Sequence, residues 1–185
     1  MSIPHEMTAE ESNPITPVAF PIYMCYGPRR LPQRNSQMGT IVVASDHAGY
    51  EMKEALKAEI EGFGHVVLDV GAHGSDSVDY PDFGAAASAA LRAGQAEMGV
   101  LVCGSGIGIS IAANRDPLTR AALCHDVTTS QLCRKHNDAN MIALGARIIG
   151  IETAKDCVRA FLTTDFEGGR HQRRVDKLGN PSAAI

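Results

Sequence analysis

One segment of this chain gathers residue types that do chemistry at close spacing. Cys103-Gly104-Ser105-Gly106-Ile107-Gly108-Ile109-Ser110 sets a thiol and two hydroxyls among three glycines. Glycines let successive backbone N–H groups converge on one point with no Cβ in the way. Such a nest at a helix start stabilises an anion, either a phosphate or an oxyanion formed during reaction. A helix end beside a thiol also favours the thiolate. Three readings fit the segment. It could be a tight strand-to-helix turn with an inert cysteine, a dinucleotide fingerprint, or a catalytic base or nucleophile beside an oxyanion nest. The spacing is G-x-G-x-G rather than G-x-G-x-x-G, which disfavours the fingerprint. A cysteine phosphatase is disfavoured as well, because the loop lacks a phosphate-binding arginine.

Three further clusters carry chemistry. Asp46-His47 follows a β-branched run and reads either as a helix N-cap or as a carboxylate and imidazole facing a crevice. His136-Asn137-Asp138 closes a helical stretch, where a histidine is a charge partner for the helix end or, beside Asn137, a general acid with an oriented amide. Arg170-His171-Gln172-Arg173-Arg174 follows Gly168-Gly169. Arg170 and Arg174, four apart, share a face if helical and could clamp a phosphate dianion; otherwise they begin a solvated basic helix.

The elements that must position these residues are legible from residue 39 onward. Apolar runs at Thr40–Ser45, His65–Val70, Met98–Cys103, Arg120–Cys124 and Asn140–Leu144 predict five strands. Helical spacing joins Met52, Leu56, Ile60 and Phe63, and again Ile151, Ala154, Val158 and Leu162. Small residues fill a helix over Phe83–Leu91, Asp126 caps another reaching Lys135, and a last helix covers Arg173–Leu178. Strands alternating with helices predict an α/β fold, a single doubly wound (Rossmann-like) five-stranded parallel sheet flanked by helices. Ligands in such sheets bind at the carboxyl ends of the strands. Asp46-His47, Cys103, His125, Gly145 and Arg147 all follow predicted strands.

Composition narrows the class. The chain has 185 residues, a net charge of −4 and five cysteines with no C-x-x-C pair. These speak against a broad nucleic-acid-binding face, a disulfide framework and a cysteine zinc site, and they favour a reducing, cytoplasmic setting. No run approaches the ~20 apolar residues of a membrane span. Residues 1–38 hold six of the nine prolines and one of the 18 glycines, and read as a flexible or loosely docked extension to a domain at 39–185. Early acids weaken the alternative of a cleaved presequence.

With these motifs in order, Gly39 to about Arg174 resembles the type B ribose-5-phosphate isomerase family, which includes galactose-6-phosphate isomerase subunits. The resemblance rests on Ser45-Asp46-His47-Ala48-Gly49, Asp79-Tyr80-Pro81, and Cys103 through Asn114. It continues through His136-Asn137-Asp138-Ala139-Asn140, Gly145-Ala146-Arg147 and Phe166 through Val175. It implies an aldose–ketose isomerase of a phosphorylated sugar, with no metal and no organic cofactor. Cys103 is then the base moving a proton between C2 and C1, with Ser105 beside it where many members have threonine. His136 opens the sugar ring with Asp46. Asn137 and the nest of Gly104, Gly106, Gly108 and Ser110 hold the enediolate. His47, Arg147, Arg170 and Arg174 hold the phosphate, and Tyr80 lines the sugar site. Some relatives lack the cysteine and use a carboxylate; the presence of Cys103 argues against that variant here.

The resemblance also implies a homodimer or homotetramer with shared active sites, Cys103 and Asp46 from one chain and His136-Asn137 from its neighbour. Neither nucleic acid nor membrane is an expected partner. The expected substrate pair is D-ribose 5-phosphate and D-ribulose 5-phosphate. A galactose- or allose-type hexose 6-phosphate isomerase and a non-catalytic sugar-phosphate binder are the alternatives. Cys25, Cys124, Cys133 and Cys157 are expected bystanders, and His65, His73, His125 and His171 surface or supporting residues.

Overall fold

The computed structural model describes residues 38–179. Apart from Met38, the extension expected over residues 1–38 lies outside the described residues. Strands β1 (Thr40–Ser45), β2 (Val66–Asp69), β3 (Met98–Cys103), β4 (Ala121–Leu123) and β5 (Met141–Gly145) form one parallel sheet in the order β2-β1-β3-β5-β4. Helices α1 (Tyr50–Gly62), α2 (Tyr80–Arg92), α3 (Ile107–Ala113) and α4 (Val127–Asn137) connect the strands. After β5 come α5 (Ile151–Thr163) and α6 (Gln172–Gly179). The winding direction reverses between β1 and β3, the switch point at which such a sheet opens a crevice. This is the doubly wound α/β fold the strand and helix alternation predicts.

Side chains alternate across the strands, so each strand serves two cores. Ile41, Val43, Val100, Val102, Ile142 and Leu144 face a layer holding Leu56 and Ile60 of α1, Cys133 of α4, and Val158 and Phe161 of α5. Val42, Ala44, Leu101, Cys103, Met141 and Ala143 face Ala87 and Ala90 of α2 and Ile109 and Ala113 of α3. The second layer is thin because its residues are small. A Cβ on Gly84 of α2 would stand 2.9 Å from Ile109 O of α3. Each fully buried Leu or Ile contributes about 1.5–3 kcal/mol through burial of its side chain.

Three details differ from the sequence expectation. β4 is half-buried rather than enclosed, because it is an edge strand paired only with β5. Two asparagines secure its start. Asn114 Oδ1 accepts from Ala121 N–H and its Nδ2 donates to Ala121 O, both at 2.8 Å. Asn140 accepts from Arg120 N–H at 2.7 Å and donates to Leu118 O at 2.7 Å. Phe63 is 38% exposed, since it lies just past the end of α1, with the Arg159 guanidinium over its ring. Lys53 is instead among the buried residues of α1, with Leu56 and Ile60. Its Nζ is held by both Asp69 oxygens at 2.7 and 2.6 Å and by Glu54 at 3.0 Å.

Candidate active site

The expected site residues fall into two groups, at opposite ends of the sheet. At the carboxyl end, Cys103 terminates the central strand β3 and is buried. Gly106 N–H donates to its Sγ at 3.1 Å, so the loop wraps back onto the sulfur. This turn requires glycine: Gly106 has φ +78°, and a Cβ there would lie 2.5 Å from Leu123 Cδ1 and 2.9 Å from the Leu144 carbonyl carbon. Ser105 Oγ accepts from Ile107 N–H at 3.3 Å. Ser110 is buried, and its hydroxyl donates to Ile107 O at 2.8 Å.

Neighbouring loops lock onto this one. Ala146 N–H donates to Cys103 O at 2.9 Å and Arg147 N–H to Gly104 O at 3.0 Å. The Arg147 guanidinium lies along Gly104, 3.3 Å from where a Cβ would stand. After β1, Asp46 N–H donates to Val102 O at 3.2 Å, and Asp46 Oδ1 caps a short 3-10 turn by accepting from Gly49 N–H at 2.9 Å. Asp46 is thus a cap, as one of its two readings has it, and its backbone lies beside the end of the Cys103 strand. Val78 N–H donates to His47 Nδ1 at 3.2 Å, fastening the segment that leads into Tyr80. The Tyr80 ring lies where a Cβ on Gly108 would be, 2.5 Å from its Cε2, so that glycine exists to admit the ring. Asp46, His47, Tyr80, the Cys103–Ser110 loop and Arg147 thus form one cluster around the crevice.

His136 and Asn137 lie elsewhere. A crossover helix runs antiparallel to its strands, so α4 leaves the carboxyl end of β4 and finishes at the amino end of β5. A five-residue strand such as β5, at ~3.3 Å per residue, separates the two ends by on the order of 15 Å. Asp138 ends α4 in the left-handed region with φ +45° and is clamped by Arg120 and Arg134, each at 2.9 Å. Its role is to terminate the helix that presents His136 and Asn137.

The segment after α5 returns to this same end. Glu167 N–H donates to Lys135 O at 3.1 Å. The buried His171 ring stacks on His136 with centroids 4.4 Å apart and planes 5° from parallel. Glu167 Oε2 lies 3.9 Å from Nε2 of each histidine. Burial, helped by His136, Arg170 and Arg174, pushes the His171 imidazole below its usual range. Arg170 belongs to a 3-10 turn (Gly169–His171) and Arg174 to α6, so a helix boundary separates the two. Both are exposed beside this cluster.

His136, Glu167 and His171 offer ligand atoms within 4.8 Å of one another, the one such trio among the described residues. The trio as it stands is a stacked pair with a carboxylate. Glu167 was not singled out and His171 was expected only as a surface or supporting residue, since neither helical spacing nor charge brings them to His136. The one available signal was their place in Phe166 through Val175, a stretch that carries part of the family resemblance.

Taken together, these features define an open α/β domain with a thiol-bearing glycine loop at the carboxyl edge of its central strand. The family described as Ribose/Galactose Isomerase matches residues 41–178. The chain belongs to that family and is a sugar-phosphate isomerase of it. It is 40% identical to ribose-5-phosphate isomerase B of Escherichia coli (strain K12) over 141 residues, 76% of this chain and 95% of that one. It is 38% identical over 143 residues to D-erythrulose-4-phosphate isomerase of Pectobacterium atrosepticum, covering 77% of this chain and 94% of that one. The structure of ribose-5-phosphate isomerase B from Clostridium thermocellum superposes with a TM-score of 0.76 at 43% identity, covering 78% of this chain and 98% of that one.

Proposed function

We propose that this isomerase interconverts D-ribose 5-phosphate and D-ribulose 5-phosphate through an enediolate, with Cys103 as the base. The observation that carries this reading is the Cys103 loop, where one short turn places a thiol beside backbone N–H groups at the sheet's switch point. Isomerisation needs a base near the reacting carbon and donors aimed at the developing oxyanion. In the open-chain aldose the Cys103 thiolate takes the C2 proton. The carbonyl oxygen on C1 gains negative charge, and Asn137 with the amides of Gly104 and Gly108 holds it, while the Gly106 amide stays on the sulfur. The thiol then returns the proton to C1, while the hydroxyl proton on O2 passes to O1. Ser105 steadies the loop, and Tyr80 bounds the sugar. His136 and Asp46 assist the preceding ring opening. His47, Arg147, Arg170 and Arg174 take the phosphate, whose binding orients the sugar chain without touching the reacting carbons.

Such a site is completed by a second copy of the chain, in a homodimer or a pair of dimers. The end-to-end separation of Cys103 and His136 within one subunit supports this, since one sugar phosphate cannot reach both. Exposed apolar side chains flank the carboxyl-end cluster, among them Tyr80, Ile107, Ile111 and Ile148, and a partner surface would cover them. The described cysteines are free thiols, which fits a cytoplasmic setting. The test is an isomerisation assay with ribose 5-phosphate, galactose 6-phosphate, allose 6-phosphate and erythrulose 4-phosphate in parallel. Preference for the pentose, lost in Cys103→Ala, is expected. Preference for another sugar keeps the chemistry and replaces the substrate. An active Cys103→Ala removes the thiol as base.

A further inference from the structure

We infer that His171 and Glu167 are positioning residues for His136, a buried imidazole plate and a carboxylate that together hold the ring that opens the cyclic sugar. The inference rests on the reading of His136 as the ring-opening acid. It is carried by three contacts. The His136 and His171 rings are stacked at 4.4 Å and 5°. The half-buried His136 ring thus lies flat against a neighbour that is itself only 7% exposed. Rotation of His136 about its Cβ–Cγ bond would break this contact, so the plate fixes the ring plane. Glu167 Oε2 lies 3.9 Å from Nε2 of His136, so a carboxylate faces that edge of the ring.

Arg170 Nε lies 3.4 Å from His171 Nε2, on the edge of the plate away from its stacked face. Burial, with His136, Arg170 and Arg174 nearby, favours the neutral imidazole of His171, so a plate rather than a second cation lies beside His136. The charged groups around the pair are Glu167, Lys135, Arg170 and Arg174. Of these only Glu167 is an acid. Its backbone is anchored to the last turn of α4 through its own N–H on Lys135 O, so the residue is tied to the helix that carries His136. A general acid gains from a fixed ring because proton donation depends on the angle and distance to the ring oxygen.

Direction of reaction separates this role from a structural one. D-ribose 5-phosphate is largely a furanose and must be opened before C2 can be deprotonated. D-ribulose 5-phosphate cannot close on its carbonyl, because the oxygen needed for a five-membered ring carries the phosphate. A defect in ring opening therefore slows the aldose-to-ketose direction and spares the reverse. The experiment measures kcat in both directions for wild type, His136→Ala, His171→Ala, His171→Phe and Glu167→Gln, with thermal melts to check folding.

The expected result is a loss of about tenfold or more in the aldose direction for His136→Ala and His171→Ala, with under about twofold change in the ketose direction. Glu167→Gln, exposed and isosteric, should show the same asymmetry more weakly. His171→Phe keeps the plate and should recover most of the aldose rate. A split in His136→Ala with equal losses in both directions for His171→Ala would overturn the positioning role and leave His136 as the ring opener. No split in His136→Ala would overturn the assignment of His136, and the role of its plate with it.

Discussion

Mixing two variants impaired in the aldose direction tests whether the active site is built from two chains. Cys103→Ala removes a group at the carboxyl end of the sheet, and His136→Ala removes one at the amino end. Within one subunit these positions are separated by the length of a strand, on the order of 15 Å. If each site takes Cys103 from one subunit and His136 from its neighbour, a mixed dimer holds one site with both lesions and one with neither. Equal amounts paired at random give about half mixed dimers, each with one of its two sites intact, so recovery reaches about a quarter of wild-type activity. Pairing of such dimers into tetramers leaves that fraction unchanged. The two chains would be co-expressed with different tags, and the doubly tagged species purified and assayed for ribose 5-phosphate isomerisation. That species alone should reach about half of wild-type activity per dimer. Activity no higher than that of the single variants, from a confirmed mixed dimer, would refute the shared site. Sedimentation at assay concentration supplies the oligomeric state on which the arithmetic depends.

Four other outcomes follow from the geometry. Cys103→Ala should lower kcat by about 100-fold or more with little change in KM, because the thiol acts on the reacting carbon and not on the phosphate; steady-state kinetics check this. Gly106→Ala should lower both the melting temperature and kcat, since it must hold φ +78° with a Cβ 2.5 Å from Leu123 Cδ1. Lys53→Met should cost about 1–3 kcal/mol in urea unfolding, less than a fully broken buried pair because Lys57 still binds Asp69 at 2.8 Å. The same network sets an acid limit. Burial pushes the Asp69 carboxyl up, but donors from Lys53, Lys57 and Gly71 N–H outweigh it and hold the group below its ordinary range. Its contribution is complete above the unfolded value of about 4 and is lost as pH falls through the folded one. The wild-type unfolding midpoint should therefore drop steeply below that pH, and less steeply in Lys53→Met.

Most of the fold could be read from residue order, for a local reason. A buried parallel strand needs an unbroken apolar run, as in Met98–Cys103, and a helix against a sheet needs spaced apolar residues, as in Leu56 and Ile60. The thiol and its glycine loop are also local, since eight consecutive residues build them, and their place after the third strand put them at the crevice. Lys53 was missed because sequence shows a charge where only packing shows a partner. Its carboxylate, Asp69, comes from the next strand, and only the pairing of β1 with β2 brings the two together.

The chain by itself determined the sheet, the thiol-bearing turn and the family, because each rests on neighbouring residues or on motifs in order. Tertiary structure alone decided which site residues share a place. It sent Asp46, Tyr80, Cys103 and Arg147 to one end of the sheet and His136, Glu167, Arg170 and His171 to the other. The cause is the parallel sheet: a helix leaving the carboxyl end of a strand must run back to the amino end before a parallel strand can follow, and α5 runs back in the same way after β5.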